Sequence, residues 1–217
     1  MTARRPALIF DFGNVVAFFD YTRACDLLGP KIGLTGEALL LRVRERGLTP
    51  VLKQYERGAI GSEEFSRSVC DLIGLDVPHE EFAAAWADIF WPNEPVAHLI
   101  RDLKKSGYPL ILGSNTNVLH SVQFRRQFAE TLAHFDRLIL SHEVGHSKPS
   151  AEFYHACAAA ASAEPRDCVF IDDLPENIEG ALAAGLVGVL FRDAPTLVED
   201  LRGLGVDVRR PAAEGRA

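Results

Sequence analysis

Four clusters of polar residues stand at or beyond the ends of short apolar runs. Asp11-Phe12-Gly13-Asn14-Val15 follows Ala7–Phe10, and Gly113-Ser114-Asn115-Thr116 follows Pro109–Leu112. Lys148-Pro149 lies several residues past Leu138–Leu140, and Asp172-Asp173 follows Cys168–Ile171. Singly, each cluster is ordinary: a carboxylate caps a helix, Ser-Asn-Thr makes a turn, and Lys-Pro sits in solvent. Jointly they describe one chemistry. Asp11, Asp172 and Asp173 would repel one another if close, and a hard divalent cation removes the conflict. Mg²⁺ favours the carboxylate, carbonyl and water oxygens such a site offers. Lys148 adds a positive charge that can bridge a carboxylate and an anionic substrate. The Ser114 hydroxyl and nearby backbone N–H groups are donors for phosphate oxygens. A carboxylate beside a metal can attack phosphorus and form an aspartyl-phosphate. The metal and the lysine then hold the charge of the transferring group.

Such a site needs elements that bring four distant segments together. The apolar runs, with a fifth at Val187–Phe191, are nearly continuous rather than alternating, as in strands buried on both faces of a parallel sheet. Helical patterns separate the later runs. Val96, Leu99, Ile100 and Leu103 keep helical spacing, with Gly107 as a stop. Pro149-Ser150 opens a helix through Phe153, Ala156, Cys157 and Ala160, with Ser150 as N-cap. Asp173 to Ala184 is another, with Pro175 near its start and Gly185 after it, and Leu197, Val198 and Leu201 mark the last. The alternation predicts a doubly wound α/β sheet whose ligands bind at the carboxyl ends of the strands.

Residues 17–93 read differently. They contain no good strand run, and helices are expected from Thr49-Pro50, with Thr49 as N-cap, and from Gly61-Ser62. A helical stripe of Phe82, Trp86, Ile89 and Phe90 begins after Pro78. The organisation expected is a core of residues 1–16 and 94–208, a helical insert over 17–93, and a flexible tail over 209–217.

Composition bounds the function. The chain has 217 residues, 47% hydrophobic and 24% charged, which excludes disordered and low-complexity classes. A net charge of −7 without a basic stripe speaks against nucleic acid and against an anionic membrane surface. No apolar stretch is long enough to span a bilayer, and the one behind Arg4-Arg5 stops at Asp11, too short for a signal peptide. Cys25, Cys70, Cys157 and Cys168 form no paired motif and read as buried thiols in a reducing compartment. A soluble cytoplasmic protein is expected.

In order, the motifs DFGNV, SNT, KP and IDDLPEN resemble those of the haloacid dehalogenase (HAD) superfamily of hydrolases. The resemblance extends to about Arg192, and DFGNV with the YERGAIGSEEF segment (Tyr55–Phe65) is similar to its glucose-1-phosphate phosphatase and epoxide-hydrolase N-terminal phosphatase branch. It implies a Rossmann-like α/β core with an inserted α-helical cap, Mg²⁺ as cofactor and a small phosphorylated metabolite as substrate, sugar phosphates first. It implies Asp11 as nucleophile and metal ligand, the Gly13 carbonyl as metal ligand, and Ser114 and Asn115 as phosphate binders. Lys148 matches the lysine that steadies nucleophile and intermediate. Asp172 and Asp173 match the acidic metal ligands, and Asn177 orients their loop.

One position departs from the pattern. Most phosphatases of this superfamily carry an Asp two residues after the nucleophile, which protonates the leaving alcohol and activates water; here it is Gly13. Such help is worth about 10²–10⁴-fold. The glucose-1-phosphate-type relatives also carry glycine there, so the departure does not imply a dead enzyme. His120, His142 and His146 lie in nominally suitable loops, and among cap residues Arg23 is the first choice for facing a ligand, ahead of Asp20, Lys53, Tyr55 and Trp91. Two alternatives stay open: a metal-independent 2-haloacid dehalogenase, and a phospho-ligand-binding protein with little turnover.

Overall fold

The computed structural model describes residues 5–208; the tail expected over 209–217 and the first four residues lie outside them. Among the described residues the strands are β1 Ala7–Phe10, β2 Ala17–Phe19, β3 Phe90–Pro92, β4 Leu110–Ser114, β5 Arg137–Leu140, β6 Cys168–Asp172 and β7 Val187–Leu190. Five of them form a wholly parallel sheet in the order β5-β4-β1-β6-β7. β1 lies at the centre, with Leu8 opposite both Leu110 and Val169.

The sheet divides its side chains with a period of two. Leu8, Phe10, Leu110, Leu112, Val169 and Ile171 face one apolar layer, closed by the helices Glu94–Lys105 and Val118–Gln127. Ala7, Ile9, Ile111, Cys168 and Phe170 face the other, closed by Ala151–Ala160 and Pro175–Ala183. Helices on both faces explain why the central strands read as unbroken apolar runs. The stripe Val96, Leu99, Ile100 and Leu103 is buried as expected, and Gly107 follows that helix with φ +79. Ser150 occupies the N-cap position of its helix but makes no capping bond with its side chain.

Between β2 and β3 the chain forms the helices Thr22–Leu28, Gly36–Arg46, Thr49–Glu56, Ser62–Ile73 and His79–Ala87. They enclose an apolar cluster of their own, built around Leu39, Tyr55, Phe65, Val69, Phe82 and Trp86. Three local expectations need correction. The segment does contain strands, since β2 and β3 pair antiparallel with Phe19 opposite Phe90. Each is three residues long, too short to show a period, and its partner is remote in sequence. The stripe through Phe82 and Trp86 ends with its helix at Ala87, and Phe90 turns into β3 with its ring 5.4 Å from that of Phe12. Thr49 is the first residue of its helix, with Leu48 in the capping position.

The core also packs tightly behind the polar clusters. Gly180, inside the helix Pro175–Ala183, leaves no room for a side chain: a Cβ there would lie 2.7 Å from Pro149 Cβ and 2.9 Å from Pro149 O. Gly180→Ala is therefore expected to destabilise the protein by about 1–3 kcal/mol, although alanine favours helices. At about 2–4 °C per kcal/mol for a chain of this size, thermal melting reads it directly; an unchanged or raised Tm would contradict the packing described.

Candidate active site

The carboxyl ends of β1, β4 and β6 converge on one place, with the Lys148 segment beside them. Asp11 takes up the chain where β1 ends, its N–H donating to Ile171 O at 2.9 Å. Ser114 ends β4 and Asp172 ends β6. Lys148, buried, places Nζ 2.7 Å from Asp11 Oδ1 and 2.7 Å from Asp172 Oδ2. Asp172 is fully buried, and its other oxygen accepts from Leu174 N and from Asn177 Nδ2, each at 2.9 Å. Asn177 is held in turn by Tyr154, whose hydroxyl donates to its carbonyl at 2.7 Å. Asp173 Oδ2 accepts from Asn14 Nδ2 at 3.0 Å, with Asn14 in a left-handed conformation at φ +58.

Asn115 is engaged on both sides of its carboxamide. Its Nδ2 donates to Lys148 O at 3.1 Å and its Oδ1 accepts from Lys148 N at 2.8 Å. The carboxamide thus holds the lysine segment against β4, and Asn115 also lines the cavity beside Ser114. That cavity, about 100 Å³, is lined by Gly13, Ser114, Asn115 and Thr116 at the carboxyl edge of the sheet, by Phe19 of β2, and by Tyr21 and Glu56 beyond it. A Cβ at Gly13 would lie 2.9 Å from Phe19 Cε1, so an acid there would have to displace that ring.

The electrostatics are those of a site with too much negative charge. One ligand atom each from Asp11, Asp172 and Asp173 can lie within 4.8 Å of the others. Burial pushes the Asp11 carboxyl up to about 7 despite the pull of Lys148. Burial also raises Asp173. Lys148 is held above the ordinary lysine range because the attraction of Asp11 and Asp172 outweighs its own desolvation. One ammonium, paired with two of the three carboxyl groups, cannot neutralise the whole set once all are ionised. The donors are hard oxygens at close range, which fits a Mg²⁺ ion.

The other sequence candidates are placed elsewhere or used otherwise. His120 lines the cavity, but Asn117 Nδ2 donates to its Nδ1 at 3.0 Å and its Nε2–H donates to Trp86 O at 3.0 Å. Burial lowers it to about 4, so the ring is neutral. His142 shares a hydrogen bond of 3.3 Å with Ser121 Oγ, and His146 is exposed. Arg23 is turned to Asp88, its Nε donating to the Asp88 carbonyl at 3.2 Å. Tyr55 packs in the helical cluster, its hydroxyl accepting from Leu119 N at 3.1 Å. Trp91 is exposed against Phe18, and Lys53 is exposed. Asp20 lines a separate, apolar cavity among the helices.

A family model described as haloacid dehalogenase-like hydrolase matches residues 6–185. The chain belongs to this family. Within it, D-ribitol-5-phosphate phosphatase of Bacteroides thetaiotaomicron is 30% identical over 179 residues, 79% of this chain and 84% of that protein. Flavin mononucleotide hydrolase 1 of Arabidopsis thaliana is 27% identical over 158 residues, 73% of this chain and 63% of that protein. A HAD family enzyme of Bacteroides thetaiotaomicron, solved in complex with magnesium and inorganic phosphate, shares the fold. Its TM-score is 0.72 at 24% identity, over 88% of this chain and 96% of that one. The HAD family thus accounts for both the sheet and the order of the four motifs. Among the described residues no helix is long and apolar enough to cross a membrane.

Sequence reasoning missed Glu56. It sits in the YERG segment that carried part of the family resemblance, at the end of the helix Thr49–Glu56, and only the fold brings it to the cavity. Burial pushes its carboxyl up to about 7, against the pull of Lys148 and Lys53. The unfolded value is about 4.3, so the stability this group contributes below that pH is lost as pH rises through about 7. Lys148 and Lys53, the charged groups that act on it, are common to wild type and variant; of the cavity's other titratable groups, Tyr21 is held protonated by burial and His120 stays neutral. Glu56→Gln is therefore expected to raise Tm, little near pH 5 and most near pH 8. A gain that shrinks towards high pH would contradict the assignment.

Proposed function

We propose that this chain is a Mg²⁺-dependent phosphatase acting on small phosphate monoesters, with sugar and sugar-alcohol phosphates as its main class. The observation that carries the reading is Lys148, buried and 2.7 Å from both Asp11 and Asp172. Asp11 is the nucleophile: its carboxylate attacks phosphorus, and the ester oxygen leaves with the bonding pair. Lys148 holds that carboxylate in place and stays positive as charge moves onto the phosphoryl oxygens. The Ser114 hydroxyl and the backbone N–H groups of Asn115 and Thr116 hold those oxygens. Water then attacks the phosphorus of the aspartyl-phosphate, releasing inorganic phosphate and restoring Asp11.

Asp11, Asp172, Asp173 and the Gly13 carbonyl are the residues that would hold Mg²⁺, which when bound supplies charge stabilisation to the phosphoryl group. Residues 17–93 act as a cap over the core of residues 1–16 and 94–208, covering the cavity and selecting the substrate. The relatives support the substrate class, since ribitol 5-phosphate and flavin mononucleotide are both phosphate esters of a primary ribityl hydroxyl. The clustered carboxyls speak against a metal-independent dehalogenase, to which they would bring only repulsion.

Phosphate release is expected from a panel of such esters in Mg²⁺, abolished by EDTA and restored by added Mg²⁺. Asp11→Asn is expected to lower it by at least about 10³-fold, as removal of a nucleophile does. Halide release that persists in EDTA would favour the dehalogenase. Saturable binding of phosphate esters without turnover would favour a binding protein.

A further inference from the structure

If the phosphatase reading holds, its chemistry is incomplete without a proton carrier. A primary alcohol is a poor leaving group unless it is protonated as it departs, and Gly13 has no acid to give. Three titratable side chains line the cavity: Tyr21, His120 and Glu56. His120 is committed, with both ring nitrogens in hydrogen bonds and its plane stacked 5.4 Å from the Trp86 ring. Tyr21 is half-buried, its ring against those of Phe19 and Trp86, and desolvation keeps its proton on. Glu56 is half-buried, the one carboxyl among the cavity's lining residues, and its side chain makes no hydrogen bond or ion pair with the described residues. A carboxyl left without a partner, lining the same cavity as Gly13 and Ser114, is free to exchange protons with what binds there.

We propose that Glu56, reaching the cavity from the end of its helix, is the proton donor and acceptor that Gly13 does not supply. In the first step the bond from Asp11 to phosphorus forms and the ester P–O bond breaks. The leaving oxygen keeps the electron pair and takes the Glu56 proton, which leaves Glu56 a carboxylate. In the second step that carboxylate takes a proton from water as the water oxygen bonds to phosphorus. The P–O bond to Asp11 breaks, so both acids return to their starting state. Burial supports this assignment, since it pushes the Glu56 carboxyl up to about 7 and lets both forms be populated near neutral pH.

The test uses two substrates that differ in leaving group: ribitol 5-phosphate, whose alkoxide needs a proton, and p-nitrophenyl phosphate, whose phenolate does not. With Glu56→Gln, kcat/KM for ribitol 5-phosphate is expected to fall by about 10²–10⁴-fold. For p-nitrophenyl phosphate it should fall less than about tenfold, with a burst of nitrophenolate as the phosphoenzyme accumulates. Glu56→Ala should regain turnover of ribitol 5-phosphate on addition of formate. Equal losses on both substrates, or no loss, with no burst and no rescue, would overturn the role of Glu56 while leaving the phosphatase reading intact. A wild-type protein that releases phosphate from neither substrate would overturn both.

Discussion

One ammonium group sets the terms for the rest of this structure. Lys148 Nζ lies 2.7 Å from carboxylates at the carboxyl ends of two different strands, and all three groups are largely removed from water. Buried charges are costly unless paired and hydrogen-bonded, and breaking such a pair leaves an uncompensated charge behind. The surroundings show how the pairing is fixed. Asn115 clamps both main-chain polar groups of Lys148, Asn177 and Leu174 N hold the far oxygen of Asp172, and Tyr154 holds Asn177. Gly180 lets the helix behind come close enough to support Pro149. The parallel sheet makes this possible, because only adjacent strands running the same way deliver their carboxyl ends to one spot.

The same constraint explains why a cation belongs there. Lysine satisfies one oxygen of Asp11 and one of Asp172 but cannot neutralise three acids. The surplus negative charge is the site's affinity for a hard divalent ion, and it is also what an incoming phosphate would otherwise meet as repulsion. The helical insert adds the other half of the environment. It is tied to the core by contacts that bury polar groups in pairs: Tyr55 hydroxyl with Leu119 N, and His120 with the Trp86 carbonyl. These contacts bring Phe19, Tyr21 and Glu56 to the cavity wall.

Much of this was legible in the sequence because the parallel sheet writes itself plainly. β1 spans the apolar run Ala7–Phe10, and the other core strands differ from their runs by a residue or two at the ends. Buried strands need continuous apolar residues, and carboxyls at their ends interrupt those runs visibly. The β2–β3 pair was not legible, since three-residue strands carry no period and their partnership crosses the whole insert. Asn115 stands in the segment that matches the family's phosphate-binding motif; that its carboxamide is spent on Lys148 depends on a loop packing no local pattern reports. Glu56 was invisible for a related reason. On its helix it is one more charged residue near a C-terminus, and only the docking of that helix against the core turns it into a lining group.

The central claim is that Asp11, held by Lys148, bonds to phosphorus. Rapid acid quench of the protein during turnover of a phosphate ester, followed by mass spectrometry of its peptides, tests that bond directly. A peptide containing Asp11 that is heavier by one phosphoryl group is expected, and it should be absent when Asp11 is replaced by Asn. Phosphate release with no such peptide at any quench time, or a phosphoryl group on another residue, would contradict the claim.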